Sequence, residues 1–328
     1  MFKYSLMKDL FEGNIVLVTG ATGLIAQSLV KKLLDNGAIV LAQVRNVERA
    51  KSIFGTETNI TYIQGDIRTF DFKSQKVDYI IHTASLTSSR AFVENPVETI
   101  GVLIDGTRHV LDIAKQLDVK KFIYLSTMEV YGSPSTDDKI DELHGTNLDT
   151  MSPRNCYPEG KRMCENVCIS YEAEYNVPIN VLRLTQTFGQ GVGYNDGRVF
   201  AEFARCVIEG KDIILRTKGE TKRSYLHVDD AVMAILTVMK KAPAGEVYNV
   251  ANEATYCSIY EMAQMVANKI AKKNIKVRIV EEDEKKYGYA STLHMNLDTQ
   301  KIQKLGWCPQ KGLDEMYMDM IAHMKKNM

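Results

Sequence analysis

A tyrosine and a lysine four residues apart, Tyr157 and Lys161, are the pair in this sequence best suited to proton transfer. Pro158 lies between them and suits the first position of a helix, where residues four apart share one face. A phenol with an ordinary pKa near ~10 is a poor base at neutral pH, and an ammonium one helical turn away favours its ionised form. The spacing therefore predicts a tyrosine base assisted by a lysine.

Two more polar side chains, Thr127 and Glu129, follow the apolar run 122–125, which is typical of a buried strand. Ligands of parallel α/β sheets bind outside the carboxyl ends of the strands, which is where Thr127 would lie. Its hydroxyl could hydrogen-bond the same substrate oxygen as Tyr157, and Glu129 could take a proton nearby. An ion-paired structural carboxylate is the alternative interpretation of Glu129.

The segment 14–30 predicts a strand, a glycine-rich turn and a helix. Glycines in the turn, TGATGLIA at 19–26, let the backbone approach a pyrophosphate, whose charge lies against the free N–H groups and positive dipole of the helix. We predict a dinucleotide site rather than an ordinary strand–helix turn. The predicted contact residues in this turn are Gly20, Thr22, Gly23, Leu24 and Ile25.

The end of the second predicted strand bears on which dinucleotide binds. A carboxylate there would accept from the ribose 2′-hydroxyl of NAD, but this sequence has Val44-Arg45-Asn46. Arg45 could pair bidentately with a 2′-phosphate, so the sequence favours NADP over NAD. The alternative is a solvated arginine stacked near the adenine.

The elements that would position these residues follow a regular alternation. Apolar runs at 15–18, 39–44, 60–63, 79–81 and 122–125 alternate with helix-length segments, including 24–36, 96–117 and 158–175. We therefore predict an α/β fold, a doubly wound parallel Rossmann sheet with a smaller C-terminal α/β substrate-binding lobe. A glycine-rich loop is predicted at 189–197, and the strands and helices predicted after it are shorter. Residues 1–185 would mainly form the dinucleotide-binding domain and 186–328 the substrate lobe, with some later elements returning to the first sheet.

Short motifs along essentially the whole chain resemble the extended short-chain dehydrogenase/reductase family, the NAD(P)-dependent nucleotide-sugar epimerases and dehydratases. They are TGATGLIA at 19–26, GDI at 65–67, HTAS at 82–85, STMEVYG at 126–132, YPEGK at 157–161 and LGWCP at 305–309. The resemblance implies that Asp66 and Ile67 flank the adenine and that Ala84 and Ser85 line the cofactor phosphates and nicotinamide ribose.

The resemblance also implies an activity. Tyr157, Lys161 and Thr127 would be catalytic, and Tyr157 and Lys161 would also contact the cofactor. Tyr157 would remove a hydroxyl proton from a sugar carried on a nucleoside diphosphate while hydride leaves for the nicotinamide. Relatives that dehydrate have an aspartate before the glutamate, but Met128 stands before Glu129 here and cannot protonate a leaving hydroxyl.

Alternatives to an epimerase or dehydratase remain open at this point. An NADPH-dependent reductase of a nucleotide-linked keto sugar would need no elimination chemistry, which fits Arg45 and Met128. A non-catalytic dinucleotide-sensing protein is an alternative of another class, although such relatives tend to lose the tyrosine or the lysine, and both are present here.

Three later residues are candidates for substrate binding by the same resemblance. Arg223 would bind the diphosphate, because a guanidinium matches phosphate oxygens bidentately, and Arg198 would contact the nucleotide. Solvated surface arginines are the alternative for both. Gln186 stands where relatives commonly place an asparagine that touches the sugar or phosphate, and Leu103 also replaces a common asparagine.

Composition limits the remaining partners. Lys+Arg and Asp+Glu both number 41 in 328 residues, so the zero net charge argues against nucleic-acid or anionic-membrane binding. Short apolar runs and a charged, amphipathic N-terminal extension over the first dozen residues predict a cytoplasmic protein without a membrane span. Six scattered cysteines without a CxxC pair predict no disulfide framework and no metal site.

The resemblance implies a homodimer that pairs through the helix carrying Tyr157 and its neighbour. Met163, Val167 and Tyr171 form an apolar stripe on that helix. A stripe at helical spacing equally suits an intramolecular core.

Overall fold

A computed structural model describes residues 10–73, 76–87, 89–280 and 292–328. The predicted N-terminal extension falls mostly in residues 1–9, which lie outside the described residues. In chain order the strands are β1 (Ile15–Thr19), β2 (Ile39–Val44), β3 (Ile60–Gln64), β4 (Tyr79–His82), β5 (Lys121–Thr127), β6 (Ile179–Leu184), β7 (Gln186–Phe188), β8 (Ile213–Leu215), β9 (Lys222–His227), β10 (Glu246–Val250), β11 (Asn252–Ser258), β12 (Val277–Ile279) and β13 (His294–Met295).

The helices are α1 (Leu24–Asp35), α2 (Val47–Phe54), α3 (Ser89–Glu94), α4 (Pro96–Leu117), α5 (Cys156–Tyr175), α6 (Val199–Glu209), α7 (Val228–Lys241), α8 (Ile259–Met265), α9 (Gln300–Gln303) and α10 (Leu313–Lys326). Two one-turn 3₁₀ helices, Met128–Tyr131 and Pro153–Asn155, flank the proposed catalytic residues, and a π-helical turn, Val266–Ile270, follows α8.

Seven parallel strands form the main sheet in the order β10-β6-β5-β4-β1-β2-β3. From β1 the chain adds β2 and β3 on one side. It then crosses to the other side of β1, where β4, β5, β6 and finally β10 are added, so the order of the strands reverses between β1 and β4. The carboxyl ends of strands at such a switch leave a crevice for a ligand. This is the predicted doubly wound fold.

Helices cover both faces of this sheet because its inner strands, such as β1 and β4, are buried on both sides. One face packs against α1 and α7, with Leu29, Val30 and Ile235 fully buried there. The other packs against α4 and α5, which lie side by side, with Val110 and Cys164 fully buried. Two buried faces explain why the strands have continuous rather than alternating apolar sequences.

The predicted helix boundaries mostly agree with the structure. Helix α1 ends at Asp35 with Asn36 as its C-cap, and α4 spans the predicted residues 96–117. The placement of Pro158 at the first helical position is wrong, because α5 begins at Cys156 after the 3₁₀ turn Pro153–Asn155. Proline is tolerated there since the first N–H groups of a helix have no intrahelical partner.

A smaller lobe is built from later residues. Strands β7, β9, β11 and β13 form a mixed four-stranded sheet, and β8 pairs with β12. Their core includes Phe188, Phe200 and Tyr317, which pack ring against ring. Strand β10 belongs to the main sheet although it follows much of this lobe. The division at residue 185 stays a prediction.

Among the described helices, none is both long enough and apolar enough to cross a membrane.

Candidate active site

The turn between β1 and α1 approaches the loop after β4 very closely. Gly20 has φ +62°, and a Cβ built on it would lie 2.8 Å from the Cα of Ala84. Gly23 is the N-cap of α1 and makes no side-chain capping bond, so the N–H groups of the first helical turn face the crevice without a side-chain acceptor from the cap. A tight glycine cradle at an uncapped helix N-terminus fits a dinucleotide pyrophosphate. Thr22, Leu24 and Ile25 lie in the same segment.

A glutamine inside β2 supports this turn. The Gly20 N–H donates to Gln43 Oε1 at 3.1 Å, and Gln43 Nε2 donates to the carbonyl of Gly65 at 2.8 Å. Gln43 is 2% exposed. The sequence prediction missed it, although one amide within the apolar strand IVLAQV was a visible signal.

Asp66, predicted to flank the adenine, lies just after β3 and is held by Arg68. Arg68 Nε and Nη2 donate to the two carboxylate oxygens at 2.7 and 2.9 Å. These hydrogen bonds, with a smaller effect from the positive charge of Arg45, keep the pKa of Asp66 below its ordinary value. Arg45 is exposed at the end of β2, while Ile67 is buried against Gly106. Arg68 was missed by the sequence prediction.

The Tyr157 side chain meets two hydroxyls from neighbouring strand ends. The hydroxyls of Thr127, the last residue of β5, and of Ser85, in the loop after β4, lie near its phenol and favour the ionised form. Burial raises the pKa of Tyr157, and the negative charge of Glu129 raises it further. Thr127, predicted to share a substrate oxygen with Tyr157, thus lies near it, and that shared role stays a prediction. Because its pKa is raised, the phenol of the protein alone is protonated at neutral pH.

Lys161 lies one turn further along α5 and is 3% exposed. Its Nζ donates to the carbonyl of Leu125 at 2.7 Å and lies 4.7 Å from the centroid of the Tyr124 ring. Burial lowers the pKa of Lys161 to about 8. The ammonium is thus fixed beneath the strand end rather than extended into solvent.

Glu129 is held in the 3₁₀ turn after β5. Its N–H donates to Thr127 Oγ1 at 3.2 Å, and its Oε2 lies 3.4 Å from Arg154 Nη2. The ion pair with Arg154 agrees with a structural role for Glu129, and its nearness to Tyr157 agrees with a role in proton transfer, so each interpretation has one observation in its favour. Arg154 was missed, although its position three residues before Tyr157 was a possible signal.

A buried histidine, His82, connects the end of β1 with helix α4. His82 Nδ1 lies 2.7 Å from Thr19 Oγ1, and His82 Nε2 lies 3.2 Å from Thr107 Oγ1. The Thr19 hydroxyl also accepts from the N–H groups of Thr83 and Ala84. Burial lowers the pKa of His82 to about 3, and the charge of Lys161 lowers it too, so the ring is neutral.

Two residues that differ from the pattern of similar proteins, Met128 and Leu103, pack in the protein interior. Met128 is buried, and its sulfur accepts from Thr185 Oγ1 at 3.3 Å. Leu103 is buried against Gly160, where an added Cβ would lie 2.8 Å from its Cδ1. Both positions belong to the core in this chain.

The predicted substrate residues fall into two places. Arg223 Nη1 donates to Gln186 Oε1 at 3.0 Å, and the Nε of Arg223 is buried without a hydrogen-bond partner among the described residues. Arg198, at the start of α6, instead pairs with Asp196 at 2.6 Å and lies over the Phe200 ring. The structure thus brings Gln186 and Arg223 together and holds Arg198 in a separate ion pair.

Within the described part of the chain, no group of three or more His, Cys, Asp or Glu residues is arranged to hold a metal ion.

The parallel sheet, the glycine cradle and the Tyr157–Thr127 contact define an NAD(P)-dependent oxidoreductase-type site of the Rossmann class. Residues 16–251 match the model of the NAD dependent epimerase/dehydratase family. The chain belongs to this family, as the resemblance to extended short-chain dehydrogenases/reductases predicted, and it is an NAD(P)-dependent enzyme of the nucleotide-sugar epimerase, dehydratase and decarboxylase type.

Relatives and solved structures agree with this assignment. UDP-glucuronic acid decarboxylase 6 of Arabidopsis thaliana is 28% identical over 277 residues, covering 83% of this chain and 78% of that protein. UDP-glucuronic acid decarboxylase 1 of Xenopus tropicalis is 31% identical over 80% of this chain, which spans only 62% of that protein. The structure of UDP-glucuronic acid 4-epimerase from Bacillus cereus in complex with NAD superimposes with a TM-score of 0.79 at 21% identity, over 95% of this chain and 99% of that one. The predicted fold is confirmed.

Proposed function

We propose that this enzyme oxidises a carbinol of a nucleoside-diphosphate sugar to a ketone, with Tyr157, Thr127 and Lys161 as its catalytic residues. One observation carries the proposal: the buried Tyr157 phenol lies near the hydroxyls of Thr127, at the end of β5, and of Ser85, in the loop after β4, with Lys161 buried one helical turn away. A substrate hydroxyl that displaces one of these contacts would face both a proton acceptor and a hydrogen-bond donor.

Tyr157 takes the proton of the sugar hydroxyl in this proposal, while Thr127 hydrogen-bonds the same oxygen and holds it in place. The residues of the turn 20–25, with Ala84 and Ser85, hold the dinucleotide, which when bound supplies the acceptor for the hydride leaving the sugar carbon. Lys161 favours the ionised phenol, since a nearby ammonium lowers the free energy of a phenolate. Where the reaction continues by loss of the C–H proton beside the new ketone, as in dehydration, Glu129 takes that proton.

Decarboxylation of a nucleotide-linked uronic acid is the first net reaction to test. The relatives quoted above are named as UDP-glucuronic acid decarboxylases, and the buried thioether of Met128 has no proton for a leaving hydroxyl. When the carboxylate is on the carbon beside the ketone, the C–C bond breaks, carbon dioxide leaves, and the electron pair moves onto the ketone oxygen. Protonation of that carbon restores the ketone, and the dinucleotide held by residues 20–25, Ala84 and Ser85 would supply the hydride that reduces it.

Reduction of a keto sugar by NADPH is the second candidate, and exposed Arg45 at the end of β2 favours it. The same residue supports a preference for NADP. Product mass separates the possibilities: unchanged for epimerisation, less water for dehydration, less carbon dioxide for decarboxylation, and two hydrogens more for reduction.

The test of the proposed function is the variant Tyr157→Phe, assayed on a nucleotide-sugar panel that begins with UDP-glucuronic acid. We expect its turnover to fall by about 10²–10⁴-fold, the usual contribution of a general base. Turnover at the wild-type rate would rule out the assignment. Cofactor affinity is the control, since the aromatic ring that stacks on Phe92 is retained.

Arg223 and Gln186 are proposed to contact the substrate diphosphate, and Arg198 to contact the nucleotide. The buried Nε of Arg223, which has no hydrogen-bond partner in the part of the chain that the structure describes, supports the first assignment, because a buried guanidinium N–H without an acceptor favours binding of an anion. Arg198 is the weaker assignment, because its fork is already occupied by Asp196.

A homodimer through α4 and α5 is also proposed. In the stripe predicted for it, Val167 and Tyr171 pack partly against the core, while Met163 is 49% exposed. Exposed Val97 and Ile100 on α4 extend the apolar surface. Sedimentation of the purified protein tests the proposal, and a monomer across concentrations would contradict it. A cytoplasmic location stays a prediction.

A further inference from the structure

Arg154 contacts two residues that surround the proposed base. Its Nη2 and Nη1 lie 3.4 and 3.5 Å from Glu129 Oε2. Its guanidinium carbon lies 5.4 Å from the centroid of the Phe92 ring, and that ring stacks on Tyr157 with centroids 4.3 Å apart and planes 9° apart. Arg154 is thus connected to Tyr157 through a carboxylate and through an aromatic ring.

The pair between Arg154 and Glu129 differs from the structural ion pairs of this protein. Arg183 Nη2 lies 2.6 Å from Glu165 Oε2, and that guanidinium also donates to a tyrosine hydroxyl and a backbone carbonyl. In contrast, both nitrogens of Arg154 approach a single oxygen of Glu129 at longer distances, and the two side chains are 31% and 34% exposed. A loose pair at the edge of the pocket contributes little to folding.

The charges of Glu129 and Arg154 act on the ionisation of Tyr157. An ionised Glu129 opposes ionisation of Tyr157, because two negative charges in one partly buried pocket repel. The guanidinium of Arg154 has the opposite effect on the phenol. Oxidation of the carbinol needs the phenolate, since Tyr157 takes the hydroxyl proton, and Glu129 is ionised beside it at neutral pH as the partner of Arg154.

We propose that Arg154 is a positioning residue that neutralises the Glu129 carboxylate beside Tyr157, so that carboxylate and phenolate can carry charge together. This inference rests on the proposed function, because it takes Tyr157 as the base. Arg154 itself forms and breaks no covalent bond, and it keeps its own protons while the hydroxyl proton moves to Tyr157.

Other polar groups around Tyr157 also influence its pKa. The 3₁₀ turns contribute Glu129 and Arg154, and the end of β5 and the loop after β4 contribute hydroxyls. Lys161 lies one turn further along α5, with its Nζ on the carbonyl of Leu125. The titratable or polar groups that act on Tyr157 are Ser85, Tyr124, Thr127, Glu129 and Arg154. Helix α3 contributes the uncharged ring of Phe92.

The test measures the ionisation of Tyr157 directly, in the full chain loaded with NAD. Fluorotyrosine is incorporated at position 157, and its fluorine NMR signal is followed against pH in the parent protein and in four variants. These are Arg154→Met, Arg154→Lys, Glu129→Gln and the double variant Arg154→Met/Glu129→Gln. Because the readout needs no turnover, it does not depend on which sugar is the substrate.

We expect Arg154→Met to raise the titration midpoint by about one pH unit and Glu129→Gln to lower it by a similar amount. The double variant should return to within about 0.3 of the parent value, and Arg154→Lys to within about 0.5, since each restores the charge balance. Arg162→Met is the matched control, because Arg162 also pairs with a glutamate, Glu159 at 3.6 Å, but donates to the carbonyl of Val130. Its midpoint should equal that of the parent.

An unmoved midpoint in Arg154→Met, with NAD affinity and thermal unfolding unchanged, would overturn the inference. So would a midpoint that moves equally in Arg162→Met, since the effect would then be a general one of surface charge. Failure of the proposed function looks different: Tyr157→Phe would convert the sugar at the wild-type rate, whatever the NMR titration shows.

Discussion

The close approach of Gly20 to Ala84 predicts a specific loss of stability when a methyl group is added. In Gly20→Ala the new Cβ would lie 2.8 Å from the Cα of Ala84 and 3.1 Å from its Cβ, and φ at this position is +62°. Two costs therefore add. A left-handed backbone costs a non-glycine residue about 1–2 kcal/mol, and forcing a methyl group into a packed site costs about 1–3 kcal/mol.

Gly210→Ala separates the two costs. Gly210 is the left-handed C-cap of α6, with φ +67° and ψ 29°, and among the described residues no heavy atom would lie within 4 Å of an added Cβ. We expect this variant to lose only the backbone contribution, about 1–2 kcal/mol, whereas Gly20→Ala should lose about 2–5 kcal/mol. The difference between the two measures the steric contact between the loops after β1 and β4.

Urea unfolding followed by circular dichroism gives the free energies, with equal m-values as the check that both variants unfold from the same compact state. Calorimetric titration with NAD gives a second comparison, because the loop that must move also belongs to the proposed pyrophosphate cradle. Gly20→Ala should bind NAD at least tenfold more weakly and Gly210→Ala as tightly as the parent. Equal free energies of unfolding for the two variants would refute the argument that Ala84 limits this turn.

Three other predictions concern charge. Burial lowers the pKa of Lys161 from 10.5 to about 8, so on raising the pH the native state releases this proton before the unfolded state does. The contribution of Lys161 to the free energy of unfolding should therefore rise by ~3 kcal/mol between pH 8 and pH 10.5. Urea unfolding of wild type and Lys161→Met measures this contribution as a difference, and a difference that does not change with pH would contradict the prediction. Arg45→Ala should weaken NADP binding about tenfold or more and leave NAD binding within twofold, as measured by calorimetry; equal losses for both dinucleotides would remove the preference. Arg223→Ala should raise KM for the nucleotide sugar by roughly 10–100-fold, and Arg198→Ala, whose side chain is already paired with Asp196, by less than threefold; steady-state kinetics showing the reverse order would exchange the two assignments.

Local features of the site were predictable from the sequence because they depend on neighbours along the chain. The turn at 20–25 and the helical face shared by Tyr157 and Lys161 are set by residues within about one helical turn of each other. The strand positions were also predictable, because burial on both faces leaves a continuous apolar sequence. Thr127 followed from them, since the carboxyl end of a strand is fixed once the strand is known.

The missed residues depend on contacts between distant segments. Gln43 supports Gly20 from 23 positions away, and Arg154 meets Glu129 across 25 positions. A single arginine or glutamine in the sequence does not reveal which backbone group or carboxylate it will meet after folding. The start of α5 was missed for another reason: Pro158 marks a first helical turn, but it does not distinguish the positions within that turn.

The late strand β10 has a consequence for synthesis and for truncation. It pairs with β6 at the edge of the main sheet, with Glu246 beside Asn180 and Val250 beside Leu184. A nascent or shortened chain that ends near residue 185 therefore leaves the buried, apolar β6 as an open edge, which is the kind of strand that recruits other chains. Folding of the nucleotide-binding sheet is completed only after the ribosome has passed residue 250, so aggregation of shorter fragments should fall sharply once that length is included.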